Sequence, residues 1–249
     1  MNFNDNTVKN NNLAIEKFGV VLVGSGEIAK THAKILLEMD GVELLGVFSS
    51  DFKRAQSFAS VFKIKAYNNF SDVLADSAVA IVDIVSIHNT HADFGLAAAN
   101  AGKHIIVEKP IDTSLTKARE LVETCRKNNV YLATILQQRF NQNIDKLKKF
   151  IDDGQLGRIF LASARLASSR DQTYYDAAGG WRGKKREAGG GVLINQAIHI
   201  IDSLIYLLGD VSSVSGEIET ATHNIEVEDV GVGIIRFRNN TLATIAATT

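Results

Sequence analysis

The chain has 249 residues, a hydrophobic fraction of 45%, a charged fraction of 22% and a formal net charge of −1. These values are typical of globular proteins and favour neither a nucleic-acid nor a membrane partner. The sequence contains no apolar run of about 18 residues, so we expect no membrane-spanning helix. Cys125 is the only cysteine, which excludes an intrachain disulfide and a cysteine-based zinc site. We therefore predict a buried, inert thiol and no metal site.

The start of the chain differs from the rest in composition. Residues 1–14 are rich in Asn and lack the apolar segment of a signal peptide. We expect a loose tail there, and a cytoplasmic protein.

The first half of the chain alternates strand and helix patterns. Such alternation predicts a parallel sheet whose crossovers are right-handed. Asp51 is a candidate N-cap for one helix, and Thr113 or Ser114 for another. The predicted strands are 18–24, 42–50, 78–87, 104–109 and 130–138, and the predicted helices are 27–40, 52–62, 91–102 and 113–129.

The second half has a different pattern, and we predict a domain boundary near residue 139. Residues 15–139 would form a dinucleotide-binding domain, and residues 140–249 a second α/β domain. The second domain is predicted to contain helices at 142–153 and 192–208, a strand at 158–169 and antiparallel strands towards the end. Asn239-Asn240 fits a tight primed hairpin turn, which needs positive φ angles.

The stretch GSGEIA, residues 24–29, follows the first strand and opens the first helix. Gly24 allows a tight turn, Gly26 allows close approach to a pyrophosphate, and Ala29 allows close helix–strand packing. The sequence therefore predicts a dinucleotide site, and a glycine turn in another α/β fold is the alternative.

The end of the second strand bears on which dinucleotide is bound. An acidic residue that binds the ribose is expected about 20 residues after the glycines, but Ser49 and Ser50 stand there. A serine tolerates a 2′-phosphate, and Lys53 or Arg54 could pair with it. This favours NADP over NAD, although both basic side chains could simply be solvated.

Three segments resemble the Gfo/Idh/MocA oxidoreductases: GSGEIA, THADFGLAAANAGKHIIVEKP (90–110) and GGGVLINQAIHIID (189–202). The resemblance implies an α/β protein with an N-terminal Rossmann domain and a C-terminal domain built on an open, mainly antiparallel sheet. Members of the family are usually longer, and this chain stops inside an apparent strand, so the second domain would be truncated.

The family's EKP motif corresponds to Glu108, Lys109 and Pro110. The resemblance implies that Lys109 lies near the nicotinamide and the reacting hydroxyl. Pro110, the only proline, restricts the backbone of Lys109 to extended geometry, and a cis bond is common at this point in the family. The alternative is an exposed lysine beside a strand-ending proline.

The second family signature places Asn195 and Ala197 where Asp and Gly are usual, and keeps His199. On one continuous helix Asn195, His199 and Asp202 would share a face, and Ile194, Ile198, Ile201 and Ile205 would be buried. We predict that His199 transfers a proton and that Asn195 orients a substrate hydroxyl. A core histidine bonded to the backbone is the alternative for His199.

The remaining predicted cofactor contacts rest on less specific likeness. Ile87 stands where a proline is usual, which leaves the shape of the following loop open. Together with those above, the predicted cofactor-binding residues are Gly24, Ser25, Gly26, Glu27, Ile28, Ser49, Ser50, Arg54, Ser86, Asn89, His91, Glu108, Lys109, Trp181 and Arg182.

The predicted function is an NAD(P)-dependent oxidoreductase that transfers a hydride between nicotinamide and a ring carbon of a sugar, polyol or sugar derivative. Lys109, His199 and Asn195 are the predicted catalytic residues. A non-catalytic dinucleotide sensor of the same fold, or a defective copy, is the alternative. The apolar strands of the second domain predict a homodimer or homotetramer that associates through its sheet.

Overall fold

The computed structural model describes residues 17–249, so the tail predicted at residues 1–14 lies outside the described residues. The first sheet is built from strands with continuous apolar sequence, such as the buried run from Val20 to Val23. Such runs are typical of parallel strands that are covered on both faces. These strands are β1 (Phe18–Val23), β2 (Val42–Phe48), β3 (Lys65–Tyr67), β4 (Val79–Ile84), β5 (His104–Val107) and β6 (Leu132–Thr134).

All pairings in this six-stranded sheet are parallel, and the strand order is β3-β2-β1-β4-β5-β6. The order reverses between β1 and β4, and ligands bind at the carboxyl ends of strands beside such a reversal. Five helices cover the two faces of the sheet: α1 (Glu27–Glu38), α2 (Phe52–Phe62), α3 (Phe70–Ala75), α4 (His91–Asn100) and α5 (Leu115–Lys127).

The predicted helix caps of this half are confirmed. The carboxylate of Asp51 accepts hydrogen bonds from the backbone N–H groups of Lys53 and Arg54. Ser114 caps α5 by accepting from the N–H of Lys117. The elements β3 and α3 were not predicted, because the strand is only three residues long and begins with a lysine.

The second sheet is mixed. Its strand order is β7-β10-β9-β8, where β7 runs parallel to β10 and the other pairs are antiparallel. The predicted α/β fold class, with a Rossmann sheet and a second, mainly antiparallel sheet, is thus confirmed. The strands are β7 (Leu161–Ala167), β8 (Val211–Glu219), β9 (Val230–Phe237) and β10 (Leu242–Thr248), and the helices are α6 (Gln142–Asp152), α7 (Gln172–Asp176), α8 (Lys185–Ala188), α9 (Val192–Asn195) and α10 (Ile198–Leu208).

Helix α10 packs on one face of this sheet. Leu204 and Leu208 form a buried cluster with Ile235, Phe237 and Ala243. The opposite face exposes apolar side chains, including Val232 and Ile234. Among the described residues no single helix is long and apolar enough to cross a membrane. Segments 185–195 and 198–208, which form a bent pair, reach that length and composition only when they are taken together.

The prediction of one helix over 192–208 is wrong. The carbonyl of Val192 accepts from the N–H groups of both Gln196 and Ala197, and the second of these bonds widens the turn. As a result α9 ends at Asn195, and residues 185–195 and 198–208 meet at an angle of 56°. Asn195 therefore does not share a continuous helix face with His199 and Asp202.

The predicted buried face of this helix is also wrong. Ile205 is 38% exposed, whereas Leu204, Leu208 and the carboxylate of Asp202 are buried. Asp202 is buried because Arg139 binds it with two hydrogen bonds, from Nε at 2.9 Å and from Nη2 at 2.6 Å. This bidentate pair ties α10 to the segment that connects the two sheets.

The turn between β9 and β10 is longer than predicted. Of the two asparagines only Asn240 has a positive φ, of 68°. The N–H of Asn240 donates to the carbonyl of Phe237, and the N–H of Phe237 donates to the carbonyl of Thr241. Both kinds of two-residue primed turn need a positive φ at the first central residue, here Asn239, so neither is formed.

Candidate functional site

The glycine turn after β1 leaves its backbone open. Gly24 has a φ of 122°, and a Cβ there would lie 2.6 Å from the carbonyl oxygen of Val85. At Gly26 a Cβ would meet no further atom of the described residues within 4 Å, and α1 begins with no side-chain cap among them. The exposed Glu27 and Ile28 follow in the first turn of α1. Uncapped N–H groups at a helix start fit a diphosphate.

The carboxyl end of β2 lies beside this turn. Ser49 is buried and accepts a hydrogen bond from Ser25 Oγ at 3.3 Å, while Ser50 is exposed. Asp51 uses its carboxylate to cap α2. The acidic position therefore holds no carboxylate that faces the turn.

A cavity next to the glycine turn carries positive charge. Neither Lys53 nor Arg54 forms an ion pair within residues 17–249, whereas Lys30 binds Glu27 at 2.6 Å. An anionic group could reach these side chains from the turn. The lining of this cavity includes Ser25, Lys30, Lys53, Arg54 and Ser57.

The connection between β4 and α4 differs from the prediction at His91. This ring is fully buried, with Nδ1 2.8 Å from the carbonyl oxygen of Pro110 and Nε2 3.0 Å from that of Ser86. Both nitrogens face the backbone, so the ring does not point towards a cofactor and instead links two loops of the site. Ser86 itself bonds Thr90, and Asn89 keeps a buried Oδ1 that has no partner among the described residues.

Lys109 follows β5 and precedes Pro110, with a cis bond between them. Its Nζ donates to the carbonyl oxygen of Asn195 at 2.6 Å. Burial lowers the pKa of the Lys109 ammonium; the negative charge of Glu108 opposes this, and the positive charge of Arg182 adds to it. A lowered pKa increases the share of neutral amine, which is the form of lysine that can accept a proton.

Glu108 does not face the open cleft. Its Oε1 lies 3.3 Å from His32 Nε2, and its Oε2 accepts from the N–H of Lys109 at 3.1 Å. Burial alone would raise the pKa of the carboxyl, but these hydrogen bonds and the charges of His32 and Lys109 lower it. Glu108 is thus bonded to His32 and to the backbone of Lys109, which leaves neither carboxylate oxygen free for a cofactor.

His199 lies in the first turn of α10, near Lys109. Its Nδ1 is buried with no partner in the part of the chain that the structure describes. Burial and the nearby charge of Lys109 lower the pKa of the ring, so it is neutral around pH 7. A buried nitrogen without a partner is rare in folded proteins and indicates a ligand contact.

Gln196 was not among the predicted site residues. Its Nε2 donates to Tyr174 Oη at 3.2 Å, while its buried Oε1 has no partner within the described range. It occupies the break between α9 and α10, beside Asn195. The pattern of one continuous helix gave no reason to select this position.

Trp181 and Arg182 form a stacked pair near Lys109. The guanidinium of Arg182 lies over the rings of Trp181, at 4.8 Å, and Tyr174, at 4.9 Å. The Trp181 ring meets His88 edge to face at 4.7 Å. His88 is buried and donates from Nδ1 to the carbonyl of Ala188, and burial lowers its pKa to about 4.

Glu228 is a further residue that the sequence did not reveal. Its two carboxylate oxygens accept from the N–H groups of Gly191 and Leu193, and its carbonyl accepts from Val192. A Cβ at Gly191 would lie 1.7 Å from that carbonyl oxygen, so only glycine fits. Glu228 thereby holds the start of α9, which carries Asn195.

Comparisons with known proteins agree with this architecture. A model of an oxidoreductase family with an NAD-binding Rossmann fold matches residues 18–135. A model of the GFO/IDH/MocA C-terminal domain matches residues 144–249. The chain belongs to the GFO/IDH/MocA oxidoreductase family. The resemblance inferred from GSGEIA, the EKP segment and the GGG segment is therefore confirmed.

Characterised members of this family include sugar and polyol dehydrogenases. D-glucoside 3-dehydrogenase of Escherichia coli is 29% identical over 242 residues, which cover 88% of this chain and 67% of that protein. Myo-inositol 2-dehydrogenase of Thermotoga maritima is 25% identical over 232 residues, or 90% of this chain and 66% of that protein.

A solved structure of the family is similar over most of this chain. The WlbA dehydrogenase of Bordetella pertussis, in complex with NADH and UDP-GlcNAcA, superimposes with a TM-score of 0.90 and 32% identity. The match covers 94% of this chain and 67% of that protein. This chain thus spans about two thirds of the length of its relatives.

Proposed function

We propose that this chain is an NAD(P)-dependent oxidoreductase that transfers a hydride between nicotinamide and a ring carbon of a sugar or polyol derivative. The observation that carries the proposal is the half-buried ammonium of Lys109, whose pKa is lowered, close to His199, whose ring Nδ1 has no partner among the described residues. Residues 15–139 would bind the dinucleotide, and residues 140–249 would supply most of the substrate contacts.

The roles of the residues follow from their chemistry. A bound nicotinamide would accept or supply the hydride at the ring carbon. Lys109 would take the hydroxyl proton during oxidation and return it during reduction. His199 would hold the same hydroxyl through Nδ1, which has no partner among the described residues, and would take part in moving its proton. Asn195 and Gln196 would bind neighbouring hydroxyls through their amides.

For the substrate we favour a negatively charged sugar, and in particular a nucleotide-linked sugar acid. Two cationic side chains, Lys109 and Arg182, lie near enough to each other that the charge of Arg182 lowers the pKa of Lys109. Arg182 is held over Trp181 and Tyr174, and a guanidinium fixed in this way binds carboxylates well. The WlbA dehydrogenase, crystallised with UDP-GlcNAcA, supports the same choice.

For the cofactor we favour NADP over NAD. The support is the absence of a carboxylate facing the ribose from residues 49–51, together with Lys53 and Arg54 in the adjacent cavity. A 2′-phosphate would meet the two cations there, whereas the ribose hydroxyls of NAD would lack their usual acidic partner. The complex of the WlbA dehydrogenase contains NADH, which makes a direct comparison of the two cofactors necessary.

The experiment is a spectrophotometric screen of the purified chain with NAD+ and NADP+ against free polyols, free sugars, uronic acids and UDP-linked sugar acids. Reduction of the nicotinamide with UDP-linked acids, at a higher kcat/KM than with uncharged sugars, is the expected result. Activity restricted to uncharged sugars would contradict the substrate assignment. Tight dinucleotide binding with no turnover of any compound would favour a sensor of the same fold.

A further inference from the structure

A largely buried histidine, His32, lies between two carboxylates, and one of these belongs to Glu108, the residue before Lys109. His32 projects from α1 towards the carboxyl ends of β4 and β5. Its Nδ1 is 2.8 Å from Asp83 Oδ2, and its Nε2 is 3.3 Å from Glu108 Oε1. The exposed fractions of the three side chains are 12%, 2% and 13%, in the order His32, Asp83, Glu108.

Each ring nitrogen of His32 lies within hydrogen-bond distance of one carboxylate oxygen. Ionised carboxylates only accept hydrogen bonds, so both ring nitrogens donate if His32 is an imidazolium. Burial opposes that charge, but the hydrogen bonds and negative charges of Asp83 and Glu108 outweigh it and raise the pKa of His32 to about 10. Oδ1 of Asp83 is buried with no partner in residues 17–249, which leaves this carboxylate dependent on its bond to His32.

Glu108 connects this group to the cleft. Its second oxygen, Oε2, accepts from the backbone N–H of Lys109 at 3.1 Å. Its charge also raises the pKa of Lys109, against burial and against Arg182. The position and ionisation of Glu108 therefore affect how readily Lys109 gives up its proton.

We propose that His32 is a positioning residue that keeps Glu108 ionised and in place, and thereby sets the basicity of Lys109. The inference rests on the proposed function only in that Lys109 is the group that takes up the hydroxyl proton. Without the charge of His32, Asp83 and Glu108 would be two buried carboxylates with no cation between them. Burial then raises the pKa of both carboxyls, and a proton shared by the pair reduces the negative charge that Glu108 places next to Lys109.

The direction of the effect follows from all the groups that face Lys109. They are Glu108 from the same strand end, Arg182 from the segment before α8, His88 from the β4–α4 connection and His199 from α10. The pKa values of His88 and His199 are lowered, so both rings are neutral near pH 7. When Glu108 loses its charge, burial and Arg182 remain unopposed, and the amine of Lys109 titrates at lower pH.

Trace acetylation with acetic anhydride tests this without any substrate. The rate of modification of Lys109, followed by mass spectrometry from pH 5 to pH 11 against an internal amine standard, reports its titration. In Glu108→Gln we expect the midpoint to fall by about one unit, because one nearby opposite charge is lost. His32→Gln should lower the midpoint by at most the same amount, and the double variant should fall no further than Glu108→Gln. The control is His104→Gln, a histidine at the other end of β5, which should leave the midpoint unchanged.

Two results would overturn the proposal. One is a folded His32→Gln protein in which Lys109 titrates as in the wild type. The other, which needs no variant, is a ring ¹³C NMR titration of the wild-type protein in which His32 loses its proton near the ordinary value of about 6.5. If Lys109 shifts as expected and Lys109→Ala keeps its turnover, the role of His32 stands and the proposed function fails.

Discussion

Lys109 Nζ donates a hydrogen bond of 2.6 Å to the backbone carbonyl oxygen of Asn195. This bond joins the carboxyl end of β5, in the first sheet, to the last residue of α9, beside the second sheet. The carbonyls of the last helical turn have no partner within their own helix. The break after Asn195 therefore supplies the acceptor that orients the lysine, and the two halves of the chain meet at the proposed reacting group.

The pH dependence of oxidation should show the lowered pKa of Lys109. Only the neutral amine accepts a proton, so kcat rises with pH and levels off above the pKa of the lysine. Because burial and Arg182 lower that pKa, we expect the rising limb below the ordinary value of about 10.4. The measurement is kcat against pH at saturating substrate. A limb that persists in Lys109→Ala would assign it to another group.

Substitution of His199 should affect turnover and spare the dinucleotide. His199→Ala is expected to lower kcat by roughly 10²- to 10⁴-fold, the usual range for a lost acid–base group. Dinucleotide affinity should be unchanged, because the proposed phosphate site is elsewhere, at the glycine turn of residues 24–29. His104→Ala, a half-buried histidine on β5, is the control. Steady-state kinetics with equilibrium binding decide the matter, and a His199→Ala enzyme with normal kcat would refute the role.

The basic cavity beside the glycine turn should discriminate between the two dinucleotides. Arg54→Ala is expected to weaken NADPH binding by about ten- to hundred-fold, as expected for one hydrogen bond between charged groups. NADH binding should change little. Fluorescence titration measures both, with the exposed Arg126→Ala as the control. A wild-type protein that binds NADH more tightly than NADPH would contradict the NADP assignment.

The open face of the second sheet should be an interface between copies of this chain. Ile234 on β9 is 55% exposed, and Val232 on the same strand is exposed as well. We expect a dimer or tetramer whose mass falls to that of the monomer in Ile234→Glu, because a buried carboxylate without a partner is costly. Multi-angle light scattering at micromolar concentration tests this. Leu115→Glu, at a site on α5 that is 66% exposed, should leave the mass unchanged. A monomeric wild type would contradict the prediction.

The first sheet could be predicted because its signals are local. Continuous apolar strands, the glycines at 24 and 26 and the caps at Asp51 and Ser114 each act within a few residues. The family resemblance added Lys109, whose neighbourhood in sequence is specific. For the first sheet and for Lys109 alike, the residues that determine the structure are neighbours in the sequence.

The break in the second signature could not be predicted from local propensity. No proline or glycine stands between Asn195 and Ile198, and the helix is interrupted by the bond from Ala197 to the carbonyl of Val192. Periodicity therefore indicated one amphipathic helix, and it placed Asn195 and Ile205 on the wrong faces. The mixed polarity of residues 192–208 was only a weak sign of the break between α9 and α10.

The supporting residues could not be found because their partners are remote in sequence. His32 bonds residues that are 51 and 76 positions away, and Glu228 bonds Gly191 across 37 positions. A single sequence carries no signal for such pairs. His91 shows the opposite error, since a histidine in a family-like loop was assigned to the cofactor while its ring is fully buried against the backbone.

Hydride transfer by the wild type and by Lys109→Ala is the most direct test of the central claim. The measurement is the nicotinamide absorbance with a UDP-linked sugar acid and either dinucleotide, beside the exposed Lys127→Ala as control. We predict turnover by the wild type and by the control, and a loss of roughly 10²- to 10⁴-fold in Lys109→Ala with unchanged dinucleotide affinity. Near-normal turnover in Lys109→Ala, or a wild type that turns over no sugar, polyol or nucleotide sugar, would contradict it.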